Sequence, residues 1–372
     1  MIRLLHTADW QIGKPFGQFE PDEAALLSEA RFLAVERLAM LATEHQVDAV
    51  LVAGDVFDAQ TVADKTLHRL FNALAGFSGP WVMIPGNHDA ALAESVWRRA
   101  ERLDALPANL HLCLRPEPLH LEAANLVVLP APLTQRHTYQ DLTDWFDLAA
   151  TPEGALRIGL AHGSVEGILI EAIDSPNPIA LDRADKARLD YLALGDWHGA
   201  KRIDARSWYA GTPEPDRFKA NDAGRALLVE LDAPGTEPRV TQLETGRYRW
   251  RQETRTLRVA SDLDALLEWL GALDGDDVVA LILEGSLDLA AHRRLEIALG
   301  QARGRARSLR VDTQALRLEP TVEDLDALAA DGYVGEVIDE LREQQGGSDG
   351  AVARDALALL AGLLDERREK RA

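Results

Sequence analysis

VDAVLVAGDVFD, residues 47–58, opens as an almost unbroken apolar run and ends in a glycine and two carboxylates. Aliphatic residues without polar alternation mark a strand covered on both faces, as in a parallel sheet between other layers. Such a strand delivers Asp55 at its C-terminal end, with Asp58 three residues further on. PWVMIPGNHD, residues 80–89, and IRLLHTAD, residues 2–9, have the same form and deliver Asn87, His88 and Asp9. Between them lie PDEAALLSEARFLAVERLAMLATEHQ (21–46), with apolar residues at helical spacing and Pro21-Asp22 as its start signal, and the helical KTLHRLFNALAGF (65–77). Strand, helix, strand, helix, strand predicts a layered α/β fold.

A second cycle follows. ANLVVLPAP (124–132), ALRIGLAHG (155–163) and LDYLALGDWH (189–198) read as strands running into polar loops. SWYAGTPEP (207–215) and GRALLVEL (224–231) return sheet to close the domain near Leu243. From about Thr254 the pattern changes: strand-like TLRVA, VVALILEG and SLRVDTQALRLEP alternate with helical DLDALLEWLGAL and AHRRLEIALGQARG. Beyond Pro320 only helical periodicity remains, broken by the linker QGGSDG. The expected organisation is an α/β layered two-sheet core at 1–245, a small α+β cap domain at 246–320, and a helical tail at 321–372 that could bind a partner.

Composition narrows the function classes. At 372 residues the chain is too long for one ordinary domain, and 47% hydrophobic with 27% charged residues suits a soluble globular protein. No run of about 18 apolar residues predicts a membrane span, and MIRLLHTADW lacks the apolar stretch of a signal peptide. Cys113 is the single cysteine, which excludes a disulfide framework and a thiolate metal cluster. A cytoplasmic protein is expected. The formal net charge of −21 sets a condition. Phosphate neutralisation supplies most of the affinity of a protein that grips DNA alone. A chain of this charge that acted on DNA would need local contacts or a partner that supplies them.

Five polar clusters sit where open α/β sheets place ligand sites, at the C-terminal ends of strands. They are HTADWQ (6–11), GDVFD (54–58), GNHD (86–89), AHG (161–163) and GDWH (195–198). Each alone has a plain structural reading: a lone histidine on a strand end is usually a satisfied core residue, and GDxxD could be a turn with a helix cap. GNHD straight after a buried strand has no obvious folding role. Together, in this order, the five offer carboxylate, amide and imidazole donors suited to Mn²⁺, Fe or Zn²⁺. Two such ions about 4 Å apart bridge a phosphate, activate a bound water and stabilise the leaving oxygen.

At these residues the chain resembles the calcineurin-like metallophosphoesterase superfamily. HTADW, VDAVLVAGDVFD, IPGNHD, ALGDWH and WYAGTPEP are similar to the SbcD-type DNA repair exonuclease subunits of bacteria. The resemblance implies one ion on Asp9, Gln11, Asp55 and His198, and a second on Asp55, Asn87, His162 and Asp196, with Asp55 bridging. His88 would serve the leaving oxygen, oriented by Asp58. Family members usually carry histidine where this chain has Gln11 and Asp196. With two neutral amides and a third carboxylate, the site should prefer Mn²⁺, with Mg²⁺ or Fe as alternatives. The implied function is a two-metal DNA exonuclease or endonuclease subunit in double-strand break repair, acting on DNA ends beside an SMC-like ATPase of SbcC type, with a homodimer also open. Two alternatives stay open: a small-molecule phosphodiesterase or phosphatase, against which the cap domain argues, and a non-catalytic scaffold with a degenerate metal site.

Weaker signals remain. In GRYRWRQETR, strand alternation would put Arg247, Arg249 and Arg251 on one face, as a track for a DNA backbone or as a solvated edge. In the tail, Leu325, Leu328, Val337, Ile338 and Leu341, then Leu357, Leu360 and Leu364 with Leu359 and Leu363 beside them, form apolar faces. Those faces would dock a partner or fold back on the cap domain.

Overall fold

Leu4 and Leu5 leave the first strand on opposite sides, and both are completely buried. That is the arrangement of a sheet packed on both faces. The computed structural model describes residues 1–168, 177–328, 333–347 and 350–369. Among these the chain divides into two compact units, Met1–Tyr248 and Arg249–Ala372. The first boundary therefore falls three residues later than expected.

In the first unit, β1 (Ile2–Thr7), β2 (Ala49–Ala53), β3 (Trp81–Ile84) and β4 (Leu110–Leu112) are followed by β5 (Leu119–Leu121), β6 (Leu126–Ala131) and β7 (Leu156–His162). A small pair, β8 (Ser164–Val165) and β9 (Pro178–Ile179), precedes β10 (Tyr191–Gly195), β11 (Lys201–Arg202), β12 (Ser207–Tyr209), β13 (Arg225–Leu231) and β14 (Arg239–Glu244). One sheet has the order β14-β13-β1-β2-β3-β4, the other β11-β12-β10-β7-β6-β5. Leu4, Leu51, Ala53, Val82 and Ile84 meet Val128, Ile158, Leu160, Tyr191 and Ala193 in the core between the sheets. Leu5, Val50, Val52, Trp81 and Met83 instead face α1 (Pro21–Glu44), α2 (Asp64–Ala73) and α3 (Val96–Arg102). The period-two alternation of each strand thus feeds two cores at once. Cys113 packs beside the inter-sheet core, and burial pushes its thiol up to about 12. In each sheet the central strands are parallel, β1-β2-β3 in one and β6-β7-β10 in the other. Their C-terminal ends carry all five polar clusters.

After the short α4 (Arg183–Lys186) of the first unit, the second unit alternates strictly: β15 (Arg249–Leu257), α5 (Ala260–Gly271), β16 (Asp277–Leu287), α6 (Leu289–Arg303), β17 (Ser308–Leu318). The three strands are parallel with β16 central, so each helix is a crossover. TLRVA is not a separate strand; its first residues end a longer β15. Three tail helices follow, α7 (Val322–Leu328), α8 (Tyr333–Gln344) and α9 (Gly350–Glu369). They do not lack a partner within the chain. Leu325, Ile338, Leu357 and Ala361 close over Leu289 of α6, and Leu360 and Leu364 pack beside them with Leu318 of β17. Of the two alternatives the sequence left open, this face takes the second and folds back on its own unit. The opposite face of α9 leaves Val352, Leu359 and Leu363 exposed. Residues 329–332, Ser348 and Asp349 of the linker, and the Leu328 side chain lie outside the described residues.

Candidate metal centre

Asp9, Gln11, Asp55 and Asp196 share a backbone property rare outside glycine: φ values of 54°, 49°, 52° and 105°. Left-handed backbone costs a residue with a β-carbon about 1–3 kcal/mol, and a fold that keeps four such residues together holds them by surrounding bonds. Asp9 N–H donates to the Gly54 carbonyl at 3.1 Å, and Gln11 N–H to the Asp55 carbonyl at 3.0 Å. The turns after β1 and β2 are thereby zipped to each other. A β-carbon at Gly195 would collide with the Ala53 carbonyl, and one at Gly86 with the Asp55 carboxylate. Glycine at those two positions lets the ends of β10 and β3 close on Asp55.

Two residues that the sequence reading left without a role fix these turns. Asp89, fully buried, accepts the N–H groups of Gly86 (2.6 Å), Val56 (2.9 Å) and Phe57 (3.1 Å), tying the GNHD loop to the turn after β2. Burial and the neighbouring Asp55 push its carboxyl up to about 7. Arg31 of α1, equally buried, donates to the carbonyls of Trp10 (2.6 Å), Asp9 (3.2 Å) and Glu214 (3.2 Å) and to Thr212 Oγ1 (3.0 Å). Its sequence signal was available. Leu27, Ala30, Ala34, Val35 and Leu38 form the buried stripe of α1, and Arg31 is the charge within it.

The donors converge on Asp55. Gln11 Nε2 donates to Asp55 Oδ2 at 2.8 Å, His162 Nε2 lies 3.6 Å from Asp55 Oδ1 and 3.6 Å from Asp196 Oδ1, and the Asp196 N–H reaches Asp9 at 3.1 Å. One ligand atom from each of Asp9, Asp55 and His162 falls within 4.8 Å of the others. The Asn87 amide lies 3.0 Å from His162 Nε2, with one atom 3.1 Å from both Asp55 oxygens. As nitrogen that atom donates to the carboxylate; as oxygen it requires a cation between them. Gln11 Oε1 and Asp196 Oδ2 are buried and have no hydrogen-bond partner among the described residues. Buried oxygens without donors are costly unless a cation takes them. The donor set therefore fits divalent ions. Sequence-predicted Asp9, Gln11, Asp55, Asn87, His162 and Asp196 are brought together directly.

Charge at the centre is poised. Burial raises the Asp9 carboxyl, and burial with Asp9 and Asp55 nearby lifts Asp196 to about 7 despite His162. Burial would lower His162, but the Asp55, Asp196 and Asp9 carboxylates outweigh it and hold the imidazole at about 9. Its Nδ1 contacts the Ala53 carbonyl at 2.8 Å, so the ring turns Nε2 to the centre. His6 is different. It is completely buried, contacts the Tyr191 hydroxyl and the Leu194 carbonyl, and burial lowers it to about 3. It is a neutral core histidine.

His88 stands at the rim, with a third of its side chain exposed and Nε2 4.0 Å from Asp55 Oδ2. The expected orienting contact is made by the Asp58 backbone carbonyl, 2.8 Å from His88 Nδ1, while the Asp58 carboxylate faces Lys14 Nζ at 3.7 Å. His198 engages Asp216, 3.2 Å from its Nδ1, and still acts on the charge of Asp9. Asp216 is a further residue that sequence reasoning missed. Burial would raise its carboxyl, but His198, Arg217 and Arg31 hold it well below the usual range.

The basic strand face is shorter than expected, since β15 begins at Arg249. Arg247 precedes β15 and lies in the first unit, its N–H on the buried Glu214 carboxylate at 2.6 Å. Arg249 is bound by Asp277 (3.0 Å) and Asp274 (2.5 Å), and Arg251 reaches Asp277 at 3.5 Å. Two of the three charges are spent on carboxylates inside the second unit.

Residues 2–229 match the sequence profile of the calcineurin-like phosphoesterases. The chain belongs to the calcineurin-like phosphoesterase family. Membership makes it a hydrolase of the metallophosphoesterase type. Its relatives include the SbcD subunit of the nuclease SbcCD from Bacillus subtilis, 25% identical over 71% of this chain and 75% of that one. The SbcD subunit from Escherichia coli K12 is 28% identical over 62% of this chain and 64% of that one. "DNA double-strand break repair protein Mre11" of Aeropyrum pernix is 29% identical over 63% and 59%. The alignments with the last two thus span less than two thirds of those relatives' length. Among the described residues no helix is long and apolar enough to cross a membrane.

Proposed function

We propose that this phosphoesterase is a two-metal DNA nuclease subunit that acts on DNA ends beside an SMC-like ATPase of SbcC type. The observation that carries the reading is the convergence of carboxylate, amide and imidazole donors on Asp55, with Gln11 Oε1 and Asp196 Oδ2 buried and unpaired among the described residues. Asp9, Gln11, Asp55 and His198 would hold one ion, and Asp55, Asn87, His162 and Asp196 the other. When bound, such ions polarise a phosphodiester and lower the pKa of a water. Three carboxylates and two amide oxygens favour Mn²⁺, with Mg²⁺ or Fe as alternatives to Zn²⁺. His88, pinned through Nδ1, keeps Nε2 free to carry a proton to the leaving oxygen. The nuclease relatives support DNA as substrate, and the name shared by the two bacterial ones describes one subunit of an assembly. The exposed Val352, Leu359 and Leu363 stripe of α9 is the surface we assign to the ATPase.

The test is Mn²⁺-dependent cleavage of linear DNA and of bis-p-nitrophenyl phosphate by wild type and Asp55→Ala. Wild type should cut both, and the variant should lose about a thousandfold or more on each, since one carboxylate serves both ions. Near-normal turnover by Asp55→Ala would end the two-metal reading. Cleavage of the small diester alone would leave a phosphodiesterase that is not a nuclease.

A further inference from the structure

Lys14, His198 and Arg217 meet on one buried carboxylate. Asp216 follows the GTPEP turn with 1% of its side chain exposed. Its two oxygens lie 3.3 and 3.2 Å from His198 Nδ1, one of them also 3.1 Å from Lys14 Nζ. Arg217 grips it with a two-pronged fork, Nε to Oδ1 at 2.9 Å and Nη2 to Oδ2 at 3.1 Å. The same Nη2 lies 2.9 Å from His198 Nδ1 and 3.4 Å from Nε2. These contacts cannot all persist in the working site. A histidine that gives Nε2 to an ion carries its proton on Nδ1 and needs an acceptor there, and Asp216 is placed to be it. Nδ1 then donates, and so does the guanidinium. Donor would face donor, so Arg217 must leave the ring while its fork on Asp216 keeps it within reach of the centre.

The substrate requires such a cation. Asp9, Asp55 and Asp196 line the centre, and the chain carries a net charge of −21. A phosphodiester approaching three carboxylates needs positive charge beyond that of the ions. Lys14, a quarter exposed, and Arg217, half exposed, stand beside His198 on the one carboxylate. Planar guanidinium N–H groups suit the non-bridging oxygens of a phosphate.

We propose that Arg217 is the phosphate-gripping residue of this site, displaced from His198 when that ligand engages and joined by Lys14, with Asp216 positioning all three. This rests on the metallophosphoesterase reading above. The experiment uses the full chain as wild type, Arg217→Gln, Arg217→Lys and Asp216→Asn. Mn²⁺ is titrated by calorimetry, then inorganic phosphate into the Mn²⁺-loaded protein. Arg217→Gln should keep the Mn²⁺ affinity and stoichiometry of wild type and bind phosphate about tenfold more weakly, with Arg217→Lys between them. Asp216→Asn, folded by circular dichroism, should lose about tenfold or more in Mn²⁺ affinity at one site, because His198 loses its acceptor. A merely structural Asp216 would leave that affinity untouched. Unaltered phosphate binding by Mn²⁺-loaded Arg217→Gln overturns the assignment of Arg217, and unaltered Mn²⁺ binding by Asp216→Asn overturns that of Asp216. If wild type itself takes up no Mn²⁺, the metal centre falls and this proposal with it.

Discussion

Mn²⁺ should bind this protein far more weakly in mild acid than in mild base, and the structure sets the size of the effect. Without ions, the centre holds protons on Asp196, whose carboxyl is raised to about 7, and on His162, held at about 9. Both must leave before oxygen and nitrogen can ligate. Between about pH 8 and about pH 6, Asp196 goes from mostly ionised to mostly protonated, which costs about tenfold in affinity. His162 is largely protonated across that range, so each unit of pH costs about another tenfold, or about a hundredfold in all. Protonating Asp196 removes one of the charges that hold His162 up, so the two losses are less than multiplicative, and binding weakens by about a hundredfold or more in all. Asp9, also raised, acts in the same direction. Calorimetry in two buffers of different ionisation enthalpy should count about one proton released per protein near pH 8 and about two near pH 6. The stability of the ion-free protein has the matching sign. Both groups have folded pKa values above their unfolded ones, so their contribution is complete below about pH 4 for Asp196 and below about pH 6.5 for His162. It is lost as pH rises through about 7 and about 9. Saturating Mn²⁺ should therefore raise the melting temperature most at alkaline pH. An affinity that changes less than about tenfold over this range, with no proton release, would show that the ions do not sit on Asp196 and His162.

Gln11→His replaces an amide that donates to Asp55 with an imidazole nitrogen, and should tighten one of two Mn²⁺ sites about tenfold by titration calorimetry. Unchanged affinity would mean that position 11 does not reach an ion. Arg31→Met leaves the carbonyls of Asp9, Trp10 and Glu214 without their donor inside the protein, and should cost about 3 kcal/mol in denaturant unfolding. A loss under about 1 kcal/mol would show that the turn after β1 holds without it. Leu359→Glu with Leu363→Glu changes only the exposed face of α9, so the melting temperature should hold while co-purification of the ATPase is lost. Retained co-purification would remove that stripe from the interface.

The core was legible because its strands are buried on both faces. A run such as Ala49–Ala53 has no polar residue to give a helix a wet side, and Pro21 marks the start of α1 at the residue where the helix begins. The donors were legible because each follows such a strand, so their convergence needed only the C-terminal edges of two facing sheets to meet. The tail was harder. Its apolar residues have helical spacing whether they cover a partner or their own domain, and what decides is that Leu289 of α6 and Leu318 of β17 lie against them, which periodicity does not display. The ion pairs of Arg249 and Arg251 were not legible for a related reason. Strand alternation gives the face of a side chain but not its partner, and Asp277 lies across the ladder on β16, opposite Arg249 in register.

Asp216, Arg31 and Asp89 show the limit of reading a site from its ligands. None ligates, and each acts through backbone groups or a neighbouring ring that sequence spacing does not bring near. Yet they answer the question raised by the charge of −21. An acidic chain can present a phosphate with an attractive surface only if its cations are gathered at one place. Here Arg31, Arg217 and Lys14 are gathered around the turn that holds Asp216, beside the carboxylates of the centre. Arg31 is buried and spends its donors on carbonyls and one hydroxyl, so it shapes the site without touching the solvent. Lys14 and Arg217 reach the surface. The positive charge gathered on Asp216 is thus small, local and held beside His198, and that is why whole-chain composition does not betray it.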